Sequence, residues 1–464
     1  MQQAPERTRA GRRHVGADAL AALVALLLVG CAAAVGWWLR RAGVPIHAGA
    51  APLFATWGPH LGPGTPLALL VAALAVGYGP RLAVRLRWPT LLVAGYVTAV
   101  AWILSLALVD GVRVGLTTRL TLDAEYLAEV PGVTDAPAMV REFAGRILDF
   151  QPDSWATHVS GHPPGALLVF VWLDRGGLAG GGWAALFCVA VGAATAVAVP
   201  VTVRALGDER AARAALPFVV LFPGAVWWGA SADAIFAGVT ATGVALLAVA
   251  ARSARGQPFG VLVALAAGLL LGFGVFLSYG LVLVAPLAGA VLLVSRRIWP
   301  AVALLLAVAA VVVGFVEAGF WWYDGYRLVV ERYYQGIARE RPYAYWVWAN
   351  LAALVLATGP ACAPALRRAV RALRVPGRTG PARVRAVAAR LSTAPVALAL
   401  AASLAIVLAD LSGMSKAEVE RIWLPFAVWL PAAAALLPSD HRRGWLALQA
   451  VTALAVNHLV WTVW

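Results

Sequence analysis

The run PTLLVAGYVTAVAWILSLALV (residues 89–109) decides the fold, because it contains 21 residues and none of them is charged. An α-helix needs about 20 such residues to cross the hydrocarbon core of a bilayer. Inside lipid every backbone polar group must find a partner within its own segment, which a helix provides. Similar runs recur along the 464-residue chain, of which 62% is hydrophobic and only 13% charged. The sequence therefore predicts an all-α polytopic transmembrane bundle of about 13 or 14 helices.

Arginine-rich segments between the runs predict the orientation, because cytoplasmic loops are enriched in Lys and Arg. We expect a single integral membrane domain over residues 1–464, with a cytoplasmic N-terminus and a basic cytoplasmic loop at 366–393. The outward segments are a long loop at 110–163, with interfacial helices, and an aromatic and basic loop at 319–344. The expected location is the plasma membrane, with a multi-pass chain.

In one part of this topology, the number of crossings conflicts with the distribution of arginines. Segments 164–177 and 182–204 would both cross the membrane, which returns the chain to the outside. The sequence that follows, RALGDERAARA (204–214), nevertheless carries the arginines of a cytoplasmic loop. Segment 164–177 is short and ends in two charged residues, so a partly embedded helix is the alternative to a full crossing. The orientation across 164–228 therefore stays open.

The formal charge of +15 does not indicate nucleic-acid binding, because the arginines follow the positive-inside pattern of short loops between apolar runs. Cys31, Cys188 and Cys362 lie far apart, in or beside apolar runs. Their spacing predicts neither a metal site nor a disulfide framework.

The first candidates for chemistry lie in the outward loop 110–163. Asp123 and Glu125 precede Tyr126 in the sequence DAEY. A carboxylate that is partly buried at the mouth of a helix bundle is suited to act as a general base. An acid pair on a solvated loop is the alternative, and the spacing alone favours it.

The same loop predicts a short interfacial helix in APAMVREFAGRIL (136–148), with Asp135 as its N-cap. At helical spacing, one face carries the apolar residues Met139, Phe143, Ile147 and Leu148.

The loop ends in two histidines and two prolines, in the sequence HVSGHPPG (158–165). His158 and His162 are candidates to hydrogen-bond a phosphate or a sugar hydroxyl. Pro163 and Pro164 fix the backbone and start a helix, so they set the direction of His162. A metal site would need further ligands at a set spacing, which the sequence does not offer. Interfacial histidines in a turn are the alternative.

Two further outward segments carry cations. Arg332 and Arg339 lie among the aromatic residues of the 319–344 loop, where aromatic faces can stack on sugars and arginines can hold phosphates. Lys416, the single lysine of the chain, lies near Arg421 in SGMSKAEVERIW (412–423). A leaving phosphate needs a nearby cation, which makes Lys416 and Arg421 candidates to bind it. An interfacial belt and a capped short helix are the respective alternatives.

The order of these features resembles the GT-C superfamily of membrane glycosyltransferases, and most closely its protein O-mannosyltransferase and aminoarabinose transferase branch. The resemblance rests on the acidic pair followed by Tyr126, the outward loop with interfacial helices, and the His-Pro-Pro sequence at its end. It implies that Asp123 or Glu125 is the general base and that His162 belongs to the site. Members of this branch take a sugar from a polyprenyl-phosphate carrier and transfer it on the outer face with inversion.

A second stretch, FPGAVWWGASADAIF (222–236), is similar to an outward segment of related transferases and makes Asp233 a candidate substrate contact. A helix N-cap formed by Ser231 or Asp233 is an equally good interpretation.

The predicted function is therefore an inverting glycosyltransferase that moves a sugar from a polyprenyl-phosphate carrier to a cell-envelope acceptor. The expected partners are that donor, a glycan, lipid or protein acceptor and membrane lipids, with no nucleic acid, cofactor or metal. A transporter or flippase of a lipid-linked or anionic substrate is the alternative, and it would need ionisable residues in the middle of its helices. An envelope scaffold without activity is a third possibility.

Overall fold

The computed structural model describes residues 4–375, 377 and 379–462. Helices dominate this part of the chain, and its sheet consists of two three-residue strands. The predicted class, an all-α polytopic membrane protein, is confirmed.

The elements follow one another closely. The first part of the chain contains α1 (Ala4–Arg41), β1 (Ala55–Trp57), α2 (Thr65–Arg85), α3 (Trp88–Ala107), α4 (Tyr126–Glu129), α5 (Ala136–Glu142), α6 (Thr157–Ser160) and α7 (Pro164–Arg175). The middle contains α8 (Gly181–Ala193), α9 (Thr195–Ala205), α10 (Glu209–Val220), α11 (Ala232–Ala250), α12 (Pro258–Leu277), α13 (Ala285–Ser295), α14 (Trp299–Glu317) and α15 (Trp322–Gln335). The last part contains α16 (Tyr343–Thr358), α17 (Cys362–Ala372), α18 (Gly380–Leu391), α19 (Ala394–Leu411), α20 (Val419–Ile422), α21 (Leu424–Ala427), α22 (Arg442–Leu459) and β2 (Val460–Thr462).

Short turns of tighter or wider helix fill several of the connections. The 3-10 turns are Leu108–Asp110, Arg119–Thr121, Val130–Gly132, Phe143–Arg146, Pro223–Trp227, Tyr279–Val284, Ile337–Arg339, Leu430–Leu436 and Ser439–His441, and Arg113–Thr117 is a π-helical turn.

Eight helices of the described chain are long and apolar enough to cross a membrane. They are Gly16–Arg41, Thr65–Arg85, Trp88–Asp110, Gly181–Ala205, Ala232–Ala250, Pro258–Leu277, Trp299–Glu317 and Ala394–Leu411. A ninth span forms if α16 and α17, which are bent by 107°, are taken together.

The number of helices that are long enough to span a membrane is thus lower than the predicted 13 or 14. The apolar stretches Tyr279–Ser295 and Leu424–Leu436 are shorter than a full span. Pro425 and Pro431 lie within the second stretch, and proline removes a helical hydrogen bond and clashes with the preceding turn. Hydropathy along the sequence does not register such interruptions, which explains the correction.

The length of helix α7 accounts for the inconsistency between the predicted crossings and the arginines of segment 204–214. It has 12 residues, so it is about 18 Å long and well short of the roughly 30 Å hydrocarbon core. When α7 does not cross, the single span Gly181–Ala205 separates loop 110–163 from segment 204–214. The arginines of that segment then lie on the side that the charge rule requires.

Helix α1 connects two groups of contacts at its opposite ends. Near the start of its apolar span, Gly16–Arg41, Asp18 forms ion pairs with Arg367 and Arg368 of α17. Just after its end, His47 pairs with Glu340 at 2.7 Å. The predicted basic cytoplasmic loop and the predicted outward loops are therefore anchored at opposite ends of this helix, whose span has 26 residues.

The long loop 110–163 packs against the bundle through its short helices. The Asp135 side chain accepts from the Ala138 backbone N–H at 3.3 Å, which confirms it as the N-cap of α5. Met139, Phe143 and Ile147 are buried, as their spacing predicts. The helical path tightens to a 3-10 turn from Phe143 onward, where the sequence predicted a continuous helix.

A two-stranded ribbon, which the sequence analysis does not predict, joins the start of the chain to its end. Strand β1 pairs with β2 in antiparallel register, with Ala55 opposite Thr462 and Trp57 opposite Val460. The ribbon lies beside the His60 ring, which stacks on Trp461 with centroids 3.8 Å apart.

Helix α11 lies against α8 without room for a side chain at Gly238. A Cβ atom built there would lie 2.0 Å from the Val191 carbonyl oxygen of α8. Small residues allow such close approach between membrane helices. This contact matters for the site described below, because Asp233 lies at the start of α11.

We expect Gly238→Ala to lower the free energy of unfolding by about 1–3 kcal/mol, since α8 and α11 must separate to accept the methyl group. The measurement is the thermal unfolding midpoint of the full chain in detergent. Gly314→Ala in α14 is the matched control, because a Cβ there meets no atom within 4 Å. Equal midpoints for the two variants would contradict the close approach.

Candidate active site

Polar side chains from separate parts of the chain meet beside the start of α11. They come from the outward loop, the α11 N-terminus, the segment before α16 and the segment around α20. The Ser231 hydroxyl caps α11 by accepting from the Asp233 N–H at 3.2 Å. This cap orients the Asp233 carboxylate toward Arg421. The N-cap at Ser231 and the position of Asp233 in the cluster are therefore parts of one arrangement.

Glu125 and His158 form the centre of the cluster. The Glu125 Oε1 atom lies 2.9 Å from His158 Nδ1, and each residue is only 7% exposed. The His158 backbone N–H also donates to the Ala124 carbonyl at 2.9 Å. The two ends of the outward loop are thereby held together, although 33 positions separate the two side chains in sequence.

Arg421 determines which His158 nitrogen carries the proton. The guanidinium Nη2 lies 3.1 Å from His158 Nε2. Because an arginine side chain has donors and no acceptor, Nε2 must be the unprotonated nitrogen. With Nε2 as the acceptor, the ring N–H is assigned to Nδ1, the atom that lies 2.9 Å from Glu125 Oε1.

Arg421 is itself held by two carboxylates. Its Nη1 donates to Asp233 Oδ2 at 2.8 Å, and its Nη2 donates to Glu418 Oε2 at 3.2 Å. Burial lowers the pKa of Arg421, but the charges of Asp233, Glu418 and Glu125 outweigh burial and raise it. The guanidinium is therefore firmly charged and links three segments of the chain.

Tyr126 and His162 form a second pair beside the first. His162 Nδ1 lies 2.7 Å from the His158 carbonyl oxygen and 2.9 Å from the Tyr126 hydroxyl. The carbonyl can only accept, so the proton is assigned to Nδ1 and Nε2 remains an acceptor. Burial lowers the pKa of His162 to about 4, which keeps the ring neutral at neutral pH. Burial also raises the pKa of Tyr126.

The segment before α20 has a strained backbone. Ala417 and Glu418 have φ angles of 71° and 63°, a left-handed conformation that costs free energy for residues other than glycine. Asn350 compensates by donating to the Ser415 carbonyl at 2.7 Å and accepting from the Ala417 N–H at 3.3 Å. Asn350 also donates to Asp410 at 2.8 Å, so the segment is tied to both α16 and α19.

Arg341 holds the same segment from another side. Its Nη1 donates to the Lys416 carbonyl at 2.8 Å and to Glu418 Oε1 at 2.9 Å. Burial raises the pKa of Glu418, but the charges of Arg421 and Arg341 outweigh burial and lower it. Glu418 is therefore ionised and joins the two arginines.

Lys416 extends the cluster toward the aromatic loop. Its Nζ donates to the Ala338 carbonyl at 3.0 Å and lies 4.9 Å from the centre of the Tyr334 ring. Burial and the neighbouring Arg341 lower the pKa of Lys416. One of its three N–H donors is used by this carbonyl, which leaves the ammonium group able to bind a further acceptor.

Three of the residues predicted from the sequence lie elsewhere. Asp123 is exposed, although Glu125 two residues later is buried. Arg332 forms an ion pair with Asp149 at 2.5 Å, and its hydrogen bond lowers the pKa of that carboxyl. Arg339 is exposed at the surface. The remaining candidates belong to the cluster, namely Glu125, Tyr126, His158, His162, Asp233, Lys416 and Arg421.

The sequence analysis did not select Arg341, Glu418 or Asn350. Arg341 lies in the aromatic loop beside arginines that are exposed or paired, and nothing in the local sequence distinguishes it. Asn350 did give a signal, because it is the polar residue in the apolar run WVWANLAALVLA (346–357). A polar side chain in such a run often marks a functional or structural contact.

A further carboxyl, Glu420, is buried next to Arg421. Its Oε1 accepts from the Phe54 N–H at 2.7 Å, whereas Oε2 is buried without a hydrogen-bond partner among the described residues. Burial raises the pKa of Glu420 to about 7.

Comparisons with known proteins give limited similarity. No family model and no curated protein matches the chain. Among solved structures, it is similar to a crystal structure of the Archaeoglobus fulgidus oligosaccharyltransferase tethered to an acceptor peptide containing the NVT sequon, with 12% identity, a TM-score of 0.39, and coverage of 80% of this chain and 49% of that chain. A structure of the same protein with Zn and sulfate gives 14% identity, a TM-score of 0.29, and coverage of 67% and 53%. The chain spans about half the length of the protein that it matches.

The lowered pKa of His162 makes stability rise with pH between about 4 and 6.5, and Glu420 acts in the opposite direction, since we expect its contribution to stability to fall as the pH rises from about 4.5 to about 7. Over that interval the folded chain retains a proton that the unfolded chain releases, so ionisation favours unfolding. Above pH 7 this contribution is constant. The measurement is the unfolding midpoint in detergent across this pH range. Glu420→Gln should remove the falling contribution, so that its midpoint rises more steeply with pH than that of the wild type, and equal slopes would contradict the assignment.

We expect Arg421→Gln to lower the free energy of unfolding by roughly 3–5 kcal/mol, because Asp233 would remain buried without its cation and Glu418 would keep only Arg341. The double variant Arg421→Gln with Asp233→Asn should recover part of this loss.

The matched control for this prediction is Arg339→Gln, at an exposed arginine whose loss should change stability by about 0.5 kcal/mol or less. A fully stable Arg421→Gln protein with weakened donor binding would instead support a direct phosphate contact by Arg421.

Proposed function

We propose that this protein is an inverting glycosyltransferase that transfers a sugar from a polyprenyl-phosphate carrier to a cell-envelope acceptor on the outer face of a bacterial plasma membrane. The observation that carries the proposal is the buried Glu125–His158 pair at 2.9 Å, with the His158 tautomer fixed by Arg421. A carboxylate that is buried and oriented in this way is suited to take a proton from an acceptor hydroxyl.

Glu125 is the proposed general base, and Asp123 is not. Glu125 is buried and held by His158, whereas Asp123 is exposed. In a single displacement, the acceptor oxygen bonds to the anomeric carbon while its proton passes to Glu125. The bond from that carbon to the carrier phosphate oxygen breaks, and its electron pair leaves with the phosphate.

Lys416 is the proposed contact to the departing phosphate. Arg421 has donors engaged by Asp233, His158 and Glu418, so its role is to fix the site. Lys416 is buried, and its ammonium group donates a hydrogen bond to the Ala338 carbonyl. A desolvated cation stabilises the charge that develops on the leaving phosphate.

His162 and Tyr126 are the proposed contacts to the sugar. The His162 Nδ1–H is directed at the His158 carbonyl and the Tyr126 hydroxyl. Its Nε2 is then an acceptor for a sugar hydroxyl, and the prolines that start α7 fix the ring position. The expected partners are the lipid-linked donor and a glycan, lipid or protein acceptor.

The transporter alternative is less well supported, because transport pathways place ionisable groups in the middle of spans. In the described spans, the buried acids Asp18, Asp233 and Asp410 lie within three residues of a span end. Apart from Asp233, which lies in the first turn of its span, the cluster around Glu125 lies outside the spans, as a reaction at the membrane surface requires.

We expect Glu125→Gln to abolish transfer from a labelled polyprenyl-phosphate sugar by purified protein, because the amide cannot accept the proton. A loss of at least about 100-fold is expected for a missing general base. Asp123→Asn is the matched control, and it should retain activity within a few-fold because Asp123 is exposed.

Both variants should unfold at nearly the wild-type temperature in detergent. Full activity of Glu125→Gln would refute its role, and loss of activity in Asp123→Asn alone would make Asp123 the base. Uptake of the labelled lipid into vesicles without any transferred product would favour the transporter instead.

A further inference from the structure

The end of the molecule opposite the candidate site carries an excess of arginine. Residues 367–390 contain eight arginines and no acidic residue. Asp18 pairs with two of them, Arg367 and Arg368, and Arg368 does so through hydrogen bonds of 2.6 and 2.9 Å. A segment with such an excess of basic residues attracts anions from the surroundings.

Three arginines of this segment line one cavity of about 680 Å³. Arg371 belongs to the last turn of α17, Arg374 follows that helix, and Arg383 belongs to α18. All three are exposed, and Val375 completes the lining. Two helices thus bring guanidinium groups to one concave surface that is open to the surroundings.

The cavity lies between two segments that are close to the ends of membrane spans, at the depth of lipid headgroups. Helix α17 turns away from α16 by 107°, so it runs along the membrane surface if α16 crosses the membrane. Helix α18 ends at Leu391, and the span Ala394–Leu411 begins three residues later. Both flanking segments therefore hold the cavity near the ends of spans, where lipid phosphates lie.

The composition of α18 also fits a membrane surface. None of its residues is buried in the protein, and Val384 is 69% exposed between Arg383 and Arg385. Val370 on α17 is also half exposed, beside Arg371. Basic helices with exposed apolar side chains are typical of the interface between acyl chains and headgroups.

We propose that Arg371, Arg374 and Arg383 form a binding site for the phosphate of an anionic lipid headgroup. Guanidinium groups bind phosphate oxygens in pairs, and three of them surround one headgroup-sized space. The adjacent exposed valines favour a lipid over a free phosphate, because acyl chains cover apolar surface. This site is independent of the proposed transfer reaction, since it lies at the other end of α1.

The test is binding of phosphatidylglycerol to the purified full chain in detergent, with phosphatidylcholine for comparison. We expect native mass spectrometry to detect retained phosphatidylglycerol. The double variant Arg374→Gln/Arg383→Gln should weaken its apparent affinity by at least about tenfold, because each of these residues would lose a charge-assisted hydrogen bond to the lipid phosphate.

The matched control is Arg385→Gln/Arg390→Gln, which removes the same charge from α18 at positions that do not line the cavity. It should change the affinity about twofold or less. Equal weakening by both double variants would reduce the effect to general surface charge and overturn the site. No preference over phosphatidylcholine would overturn it as well, and competition by millimolar inorganic phosphate would identify a free-phosphate site instead.

Discussion

A guanidinium removed from water must be neutralised and hydrogen-bonded, and the cluster of polar side chains beside α11 is organised by how Arg421 meets that requirement. Its donors reach Asp233 at the start of α11, His158 in the outward loop and Glu418 beside α20. One side chain thereby joins three segments that are distant in sequence. It also fixes the His158 tautomer, which turns the remaining ring proton toward Glu125. The chemistry proposed for Glu125 depends on this arrangement.

The backbone around Arg421 shows that the arrangement has a cost. Two successive residues, Ala417 and Glu418, adopt left-handed conformations that other contacts must compensate. Asn350 and Arg341 supply these contacts through the backbone and through the Glu418 carboxylate. Both side chains come from α16 or the segment before it, so contacts with another part of the chain stabilise the conformation of residues 415–418. Such rigid support keeps charged groups in place without reorganisation during a reaction.

The two ends of α1 differ in how charge is balanced. At the end near the candidate site, Arg421 and Arg341 are matched by nearby carboxylates in a buried network. At the other end, Asp18 pairs with Arg367 and Arg368, and three further arginines line an exposed cavity. Balanced charge suits a fixed site, whereas unbalanced charge suits recognition of an anion from the surroundings. This contrast follows the positive-inside distribution that the sequence already shows.

The sequence by itself determined the membrane class and the capped helix α5, and it selected seven of the side chains that meet in the cluster, because hydropathy, capping and charge act over short stretches. It did not determine how many runs form full spans, since proline breaks and the 12-residue α7 depend on local helix geometry. It left Asp123 and Glu125 equivalent, and burial beside His158 separates them only in the folded chain. It did not indicate that Arg341 and Asn350 contact the 415–418 segment. Pairing of buried charges depends on which segments meet in space, and that is decided by tertiary packing.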